Sequence, residues 1–142
     1  MQGCVFCAIV TGDAPAAVVH ETDELIAFLD ARPISPGHSL VVPKRHAAGL
    51  GELDGATGER MFGLGHRLAR AARAGALGAD GVNLVLNDGR AAFQTVDHVH
   101  LHVIPRYAGD RRSLLRRIVR RKPRPSDDAA SLLRGGLDAQ AP

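Results

Sequence analysis

No run of this 142-residue chain comes near the roughly 18 consecutive apolar residues that a membrane-crossing helix needs, so no bilayer span is read from it. Its start, Met1-Gln2-Gly3-Cys4, lacks a basic region followed by an apolar stretch. No export signal is read, and a cytoplasmic address is expected. Cysteine is scarce too: Cys4 and Cys7 stand alone and are too close together to staple a domain, so they hold a metal or have no role. Neither Gly-x-x-x-x-Gly-Lys-Ser/Thr nor Gly-x-Gly-x-x-Gly occurs, so any nucleotide is held otherwise than by a P-loop or a Rossmann turn. No internal repeat is found.

Charge is unevenly spread. The formal net charge is +3, yet residues 106–124 hold nine of the eighteen Lys and Arg and a single acid, Asp110. Within that segment Leu114, Leu115, Ile118 and Val119 fall at helical spacing and predict a short amphipathic helix with a basic face. Such a face attracts phosphates, nucleic acid or an anionic surface. From Arg111 onward no aromatic residue separates the arginines for base stacking. Nucleic acid is therefore the weaker reading; a solvated face, or arginines meeting acids across a dimer interface, is the stronger.

What the chain does have is a row of imidazoles. In His98-Val99-His100-Leu101-His102-Val103-Ile104-Pro105, strict alternation and β-branched residues predict a strand ended by Pro105. His98, His100 and His102 then share one face, about 6.5 Å apart, and Val99, Leu101 and Val103 share the other. Further strands are read at Val18–Thr22 and Leu25–Asp30, joined as a hairpin at Asp23-Glu24, and at Ser39–Pro43 and Val82–Asn87. A long helix is read from Thr57, taken as its N-cap, through Met61, Leu64, Leu68, Ala71 and Ala72 to Gly75. One or two helical turns precede Gly12, and a last helix starts at Ser126 and stops at Gly135-Gly136. Helices and strands without a βαβ rhythm indicate an antiparallel α+β domain.

Zinc takes four nitrogen or sulfur ligands, so two thiols need two histidines from elsewhere; His46, just after a strand, and His98, at the outer end of the row, are the candidates. Four protein ligands would close the coordination sphere and make the ion structural. His100, central in the row, is then the candidate nucleophile toward phosphorus, with His102 beside it. Asn87, Gln94 and Thr95, in the loop leading to the histidines, offer neutral donors for a phosphoryl group.

These residues resemble the histidine triad (HIT) family of nucleotide hydrolases and transferases. The likeness covers His98 to Ile104, Cys4-x-x-Cys7, Phe28-Leu29-Asp30, Gly37 to His46, Asn87-Asp88-Gly89 and Gln94-Thr95-Val96, in family order from residue 4 to about 110. It implies a five-stranded antiparallel sheet with one long helix and short flanking helices, and a homodimer. It implies that His100 attacks the α-phosphorus of a nucleoside phosphate ester, anhydride or phosphoramidate to form a nucleotidyl-histidine, which water resolves. It further implies that His102 meets the phosphate and leaving group, that His38 lies near the same pocket, and that Asn87, Gln94 and Thr95 line the phosphate. Phe28 and Asp30 would form the nucleoside pocket, with purine nucleotides as substrates, and Cys4, Cys7, His46 and His98 would bind structural zinc. No Mg²⁺ requirement is expected.

The chain departs from the family where Phe93 precedes Gln94: many members have Gly there, and a side chain disfavours positive φ. Residues 1–110 are read as the HIT domain and 111–142 as a basic helical extension of the same body. Two other readings accompany the enzyme: a nucleotide- or partner-binding module without turnover, and a HIT enzyme acting on nucleic-acid ends through residues 106–124.

Overall fold

In Leu25-Ile26-Ala27-Phe28-Leu29 alternate side chains point to opposite sides, and all five residues are buried, so this strand is covered on both faces. A computed structural model, describing residues 3–123 and 127–141, places it second in a five-stranded sheet. The strands are β1 (Val18–Glu21), β2 (Leu25–Leu29), β3 (Ser39–Pro43), β4 (Gly81–Leu86) and β5 (Leu101–Arg106). Their order is β1-β2-β3-β5-β4, every neighbouring pair antiparallel. This is the expected α+β architecture.

One face carries Leu25, Ala27, Leu29, Val41, Val99, Leu101 and Val103 against two helices. Helix α2 (Gly55–Ala74) supplies the Met61, Leu64, Leu68, Ala71 and Ala72 stripe; helix α4 (Asp127–Asp138) lies on α2 and adds Ala130, Leu133 and Leu137. The other face carries Ile26, Phe28, Leu40 and Val42 and is covered by helix α1 (Val5–Thr11) through Phe6, Ile9 and Val10. His102 pairs with Leu40 in register and alternates with Leu101 and Val103, so it points to the α1 side. Among the described residues no helix is long and apolar enough to cross a membrane.

Four local expectations are corrected. The strand begins at Leu101, not His98: Val99 N–H bonds Ala47 O at 2.8 Å and His98 N–H bonds Val96 O at 2.8 Å, so this stretch joins loops rather than a ladder. Pro105 lies inside β5, because the β3 ladder reaches only Val103 and leaves room beyond it for a residue without an N–H. Asp54, not Thr57, caps α2, accepting the Thr57 N–H at 2.9 Å. Helix α4 runs through Gly135-Gly136. A Cβ at Gly136 would lie 2.9 Å from Ala71 Cβ, so tight packing on α2, not helix termination, explains that glycine. Ser126, expected to cap this helix, lies outside the described residues.

Candidate active site and metal centre

The α1 side of the sheet gathers five imidazoles, and the hydrogen bonds fix the tautomer of four of them. His98 Nε2 lies 2.8 Å from the Pro43 carbonyl, which can only accept, so the proton is on Nε2 and the Nδ1 lone pair is free. That Nδ1 stands 3.4 Å from Cys4 Sγ and 3.6 Å from Cys7 Sγ, and Cys7 Sγ stands 3.3 Å from His46 Nδ1. Tetrahedral zinc with ordinary Zn–S and Zn–N bonds separates sulfur from nitrogen by about 3.6 Å. The four donors, all within 4.8 Å of one another, fit such an ion. A carbonyl on the far ring nitrogen is also the partner that ligating histidines usually have. The expected ligand set thus comes together, at the junction of α1, the loop after β3 and the segment before β5.

His100 makes the opposite choice of ring edge. Its Nδ1 donates to the His98 carbonyl at 2.7 Å, which leaves Nε2 as the bare, nucleophilic nitrogen. Phe6 of α1 packs edge-on against the ring, with centroids 5.1 Å apart. A metal held by the four donors would therefore touch the neighbour of His100, not His100 itself.

The third group is Asp30, His38 and His102, whose ligand atoms also cluster within 4.8 Å. The Ile34 N–H donates to His38 Nδ1 at 3.0 Å, so the His38 proton sits on Nε2. From there it faces His102 Nδ1 at 3.0 Å, with Asp30 Oδ2 at 3.6 Å. A cation bound to His38 Nε2 would need an imidazolate or the loss of the Ile34 bond, so this cluster does not fit a metal. It is instead a relay of orientation: His38 holds His102 with Nδ1 accepting and the proton on Nε2, available to an outside oxygen. The centroids of His100 and His102 are 4.8 Å apart, closer than the strand repeat alone would place them.

Burial lowers His38, His98, His100 and His102 below the ordinary histidine range. It pushes His38 down to about 3, the nearby Asp30 carboxylate only partly opposing it. It takes His102 to about 4, assisted by His100, and lowers His100, with the bond to the His98 carbonyl opposing. A lowered histidine stays neutral until the pH falls below its ordinary value near 6.5. A step that needs neutral His100 should therefore keep a constant rate from pH 8 down to 6.5 and lose it only at lower pH. A pH–rate profile of kcat/KM with its acid limb at or above 6.5 would contradict this geometry.

The remaining expected residues are arranged less uniformly. Phe28 is buried under α1, its ring 5.6 Å from that of Phe6. Gln94 spends its amide on the loop: it accepts from Gly89 N–H at 2.7 Å and donates to Ala48 O at 2.7 Å and Val96 O at 2.9 Å. It shapes the loop, and both its N–H donors are occupied. Asn87 is half-buried just after β4, and Thr95 is exposed. Phe93 adopts the left-handed conformation, φ 66°, with its ring 82% exposed. The loop thus keeps its positive φ despite the side chain. Relieving that strain with Phe93→Gly should raise stability by about 0.5–1 kcal/mol after the extra flexibility of the unfolded glycine is deducted. Urea unfolding would register this as a higher midpoint at unchanged slope; a lower midpoint would show that the ring itself holds the loop.

Sequence reasoning missed Arg121. Its guanidinium bonds Asp30 Oδ2, while Asp30 Oδ1 accepts the Arg32 N–H at 2.8 Å. The only signal was a basic run after β5 with too few acids of its own; nothing in the spacing pointed across 91 residues to Asp30.

With two thiols and two histidines converging, and His100 beside them freed of any ligand role, comparison with known proteins becomes decisive. The HIT domain pattern matches residues 11–109. This chain belongs to the HIT family. A HIT-like protein of Mycobacterium tuberculosis is 45% identical over 137 residues, 96% of this chain and 94% of that one. The adenosine 5'-monophosphoramidase hnt1 of Schizosaccharomyces pombe is 43% identical over 105 residues, 74% of this chain and 75% of that one. Among solved structures, a Zn-bound histidine triad family protein from Mycobacterium smegmatis superposes with a TM-score of 0.88 at 46% identity, covering 97% of this HIT chain and 95% of its own.

Proposed function

We propose that this HIT protein is a nucleotidyl hydrolase or transferase that cleaves the bond between the α-phosphorus of a purine nucleotide and its leaving group. Substrates would be nucleoside phosphoramidates or (di)nucleoside polyphosphates, and His100 would be the nucleophile. The observation that carries this reading is the 2.7 Å bond from His100 Nδ1 to its own segment's carbonyl, which leaves Nε2 with its lone pair bare. In the first step Nε2 bonds the phosphorus and the bond to the leaving group breaks. The electron pair departs with that group: a polyphosphate leaves as its anion with a hydrogen bond from His102 Nε2–H, a phosphoramidate nitrogen takes a proton from solvent before the bond breaks and leaves as the neutral amine, and the His98 carbonyl steadies the charge that forms on the His100 ring. In the second step water adds to phosphorus and the P–N bond returns its pair to Nε2. The nucleoside monophosphate leaves, and the proton of water passes to solvent. The phosphoramidase activity named for the S. pombe relative supports this bond class.

Zinc fits the Cys4, Cys7, His46 and His98 set and is named for the M. smegmatis relative, so we assign it a structural role here. When bound it would clamp α1 onto the segment before β5 and so set the position of the His98 carbonyl. Asp30 would receive the ribose hydroxyls. A homodimer is part of the proposal; the edge strand β4, with Val85 37% exposed, and Phe62 of α2, 60% exposed, offer it a surface. Residues 1–110 act as the catalytic unit, with 111–142 extending it.

The test is a panel of an adenosine phosphoramidate, an acyl adenylate and a diadenosine polyphosphate, incubated with zinc-loaded protein without added Mg²⁺. Release of adenosine monophosphate from at least one supports the reading. Binding without release from any of them would point to a non-catalytic module.

A further inference from the structure

The chain after β5 returns to the active-site loop and is fastened there by arginines. Arg121 holds the Asp30 carboxylate through Nη2 and donates to Arg32 O from Nε at 2.8 Å, while Arg117 Nη1 reaches Ile34 O at 3.4 Å. Helix α3 (Arg111–Val119), which leads into these contacts, contains no buried residue, and its Leu115 and Val119 are 72% and 81% exposed. A segment attached by polar bonds at the surface, with no apolar side chain inserted, lies at the low end of local stability and opens at little cost. The carboxylate it holds is the acid of the Asp30–His38–His102 cluster. Both Asp30 oxygens are engaged, one by Arg32 N–H and one by Arg121.

We propose that residues 111–122 form a strap that closes the sugar end of the nucleotide site in the free protein, with Arg121 on Asp30 as its fastening, and that bound nucleotide releases it. This rests on the reading that Asp30 receives the ribose hydroxyls. A ribose diol and the Arg121 guanidinium then compete for the same carboxylate, and by linkage each weakens the other by the same factor. The geometry makes this competition local: Arg121 alone holds Asp30 and also bonds Arg32 O, and the rest of the strap adds to the loop only the Arg117 contact with Ile34 O.

Two readouts on the full-length, zinc-loaded protein test it. Limited trypsin digestion is followed at the arginines of residues 111–122, with adenosine monophosphate as the probe ligand. The nucleotide should accelerate cleavage there, the reverse of ordinary ligand protection, and Arg121→Ala should cleave rapidly without it. Calorimetric titration with adenosine, whose neutrality removes long-range attraction from the comparison, should give binding about threefold or more tighter for Arg121→Ala than for the parent. Slowed or unchanged cleavage with nucleotide, or equal adenosine affinity in the two proteins, overturns the strap alone. Absence of adenosine and nucleotide binding in both proteins overturns the functional reading and the strap with it, whereas binding that appears only in Arg121→Ala supports both.

Discussion

Replacing His100 with asparagine is expected to lower the release of nucleoside monophosphate by at least about a thousandfold while the fold survives, because the nucleophile is lost and nothing nearby can substitute for it. His102 cannot take over: its Nδ1 is occupied by His38 at 3.0 Å, and its other nitrogen carries the proton. His98 cannot either, since its Nε2–H is held by Pro43 O and its Nδ1 faces the two thiols. Asparagine keeps a donor close to where Nδ1–H now bonds the His98 carbonyl, so the local loop should persist. The measurement is single-turnover product release, with circular dichroism and thermal melting as the check on folding. Retention of more than about a tenth of the parent rate in a folded variant would remove His100 from the mechanism.

The second large effect concerns the metal. Stripping zinc, or changing Cys7 to Ser, should cost about 4 kcal/mol or more of stability, because metal loss belongs to the few changes that act on this scale and apo sites leave their ligands unsatisfied. Helix α1, held to the sheet by Phe6, Ile9 and Val10, has seven residues, too few to be helical by itself, so it should fray once Cys4 and Cys7 are released. Phe6 would then leave the flank of His100, where its ring now packs at 5.1 Å, so activity should fall along with the melting temperature. Burial and the neighbouring Cys4 raise the Cys7 thiol, so a cation bound there has to displace its proton and the affinity should weaken as the pH falls. Metal content by elemental analysis, followed by melting with and without chelator, checks this. Identical melting of fully stripped and loaded protein would contradict a structural role.

Much of this was legible in the sequence because alternation is a local property. Leu25 to Leu29, Ser39 to Pro43 and the Leu101–His102–Val103 alternation announce strands by residue type alone, and the α2 stripe from Met61 to Ala72 announces a helix. Counting donors against zinc's need for four called for two histidines beside Cys4 and Cys7; His46 and His98 were chosen for their places at a strand end and at the outer end of the row, and the family resemblance names the same four. What was hidden depends on contacts between distant parts. The start of β5 is set by Ala47 taking the Val99 N–H, and Gly136 stands inside α4 where Ala71 leaves no room for a side chain. The tautomers depend on the Pro43 and His98 carbonyls and the Ile34 N–H, which no side-chain pattern encodes. Arg121 reads in sequence as one more base in a solvated run; only the return of the chain toward β2 brings it to Asp30.

The most direct test of the central claim is acid-quench mass spectrometry during turnover of an adenosine phosphoramidate. One adenylyl group is expected on the peptide spanning residues 98–102, localised by fragmentation to His100 and absent from the asparagine variant. Steady turnover with no adduct at any quench time, or an adduct localised to another residue, would contradict it.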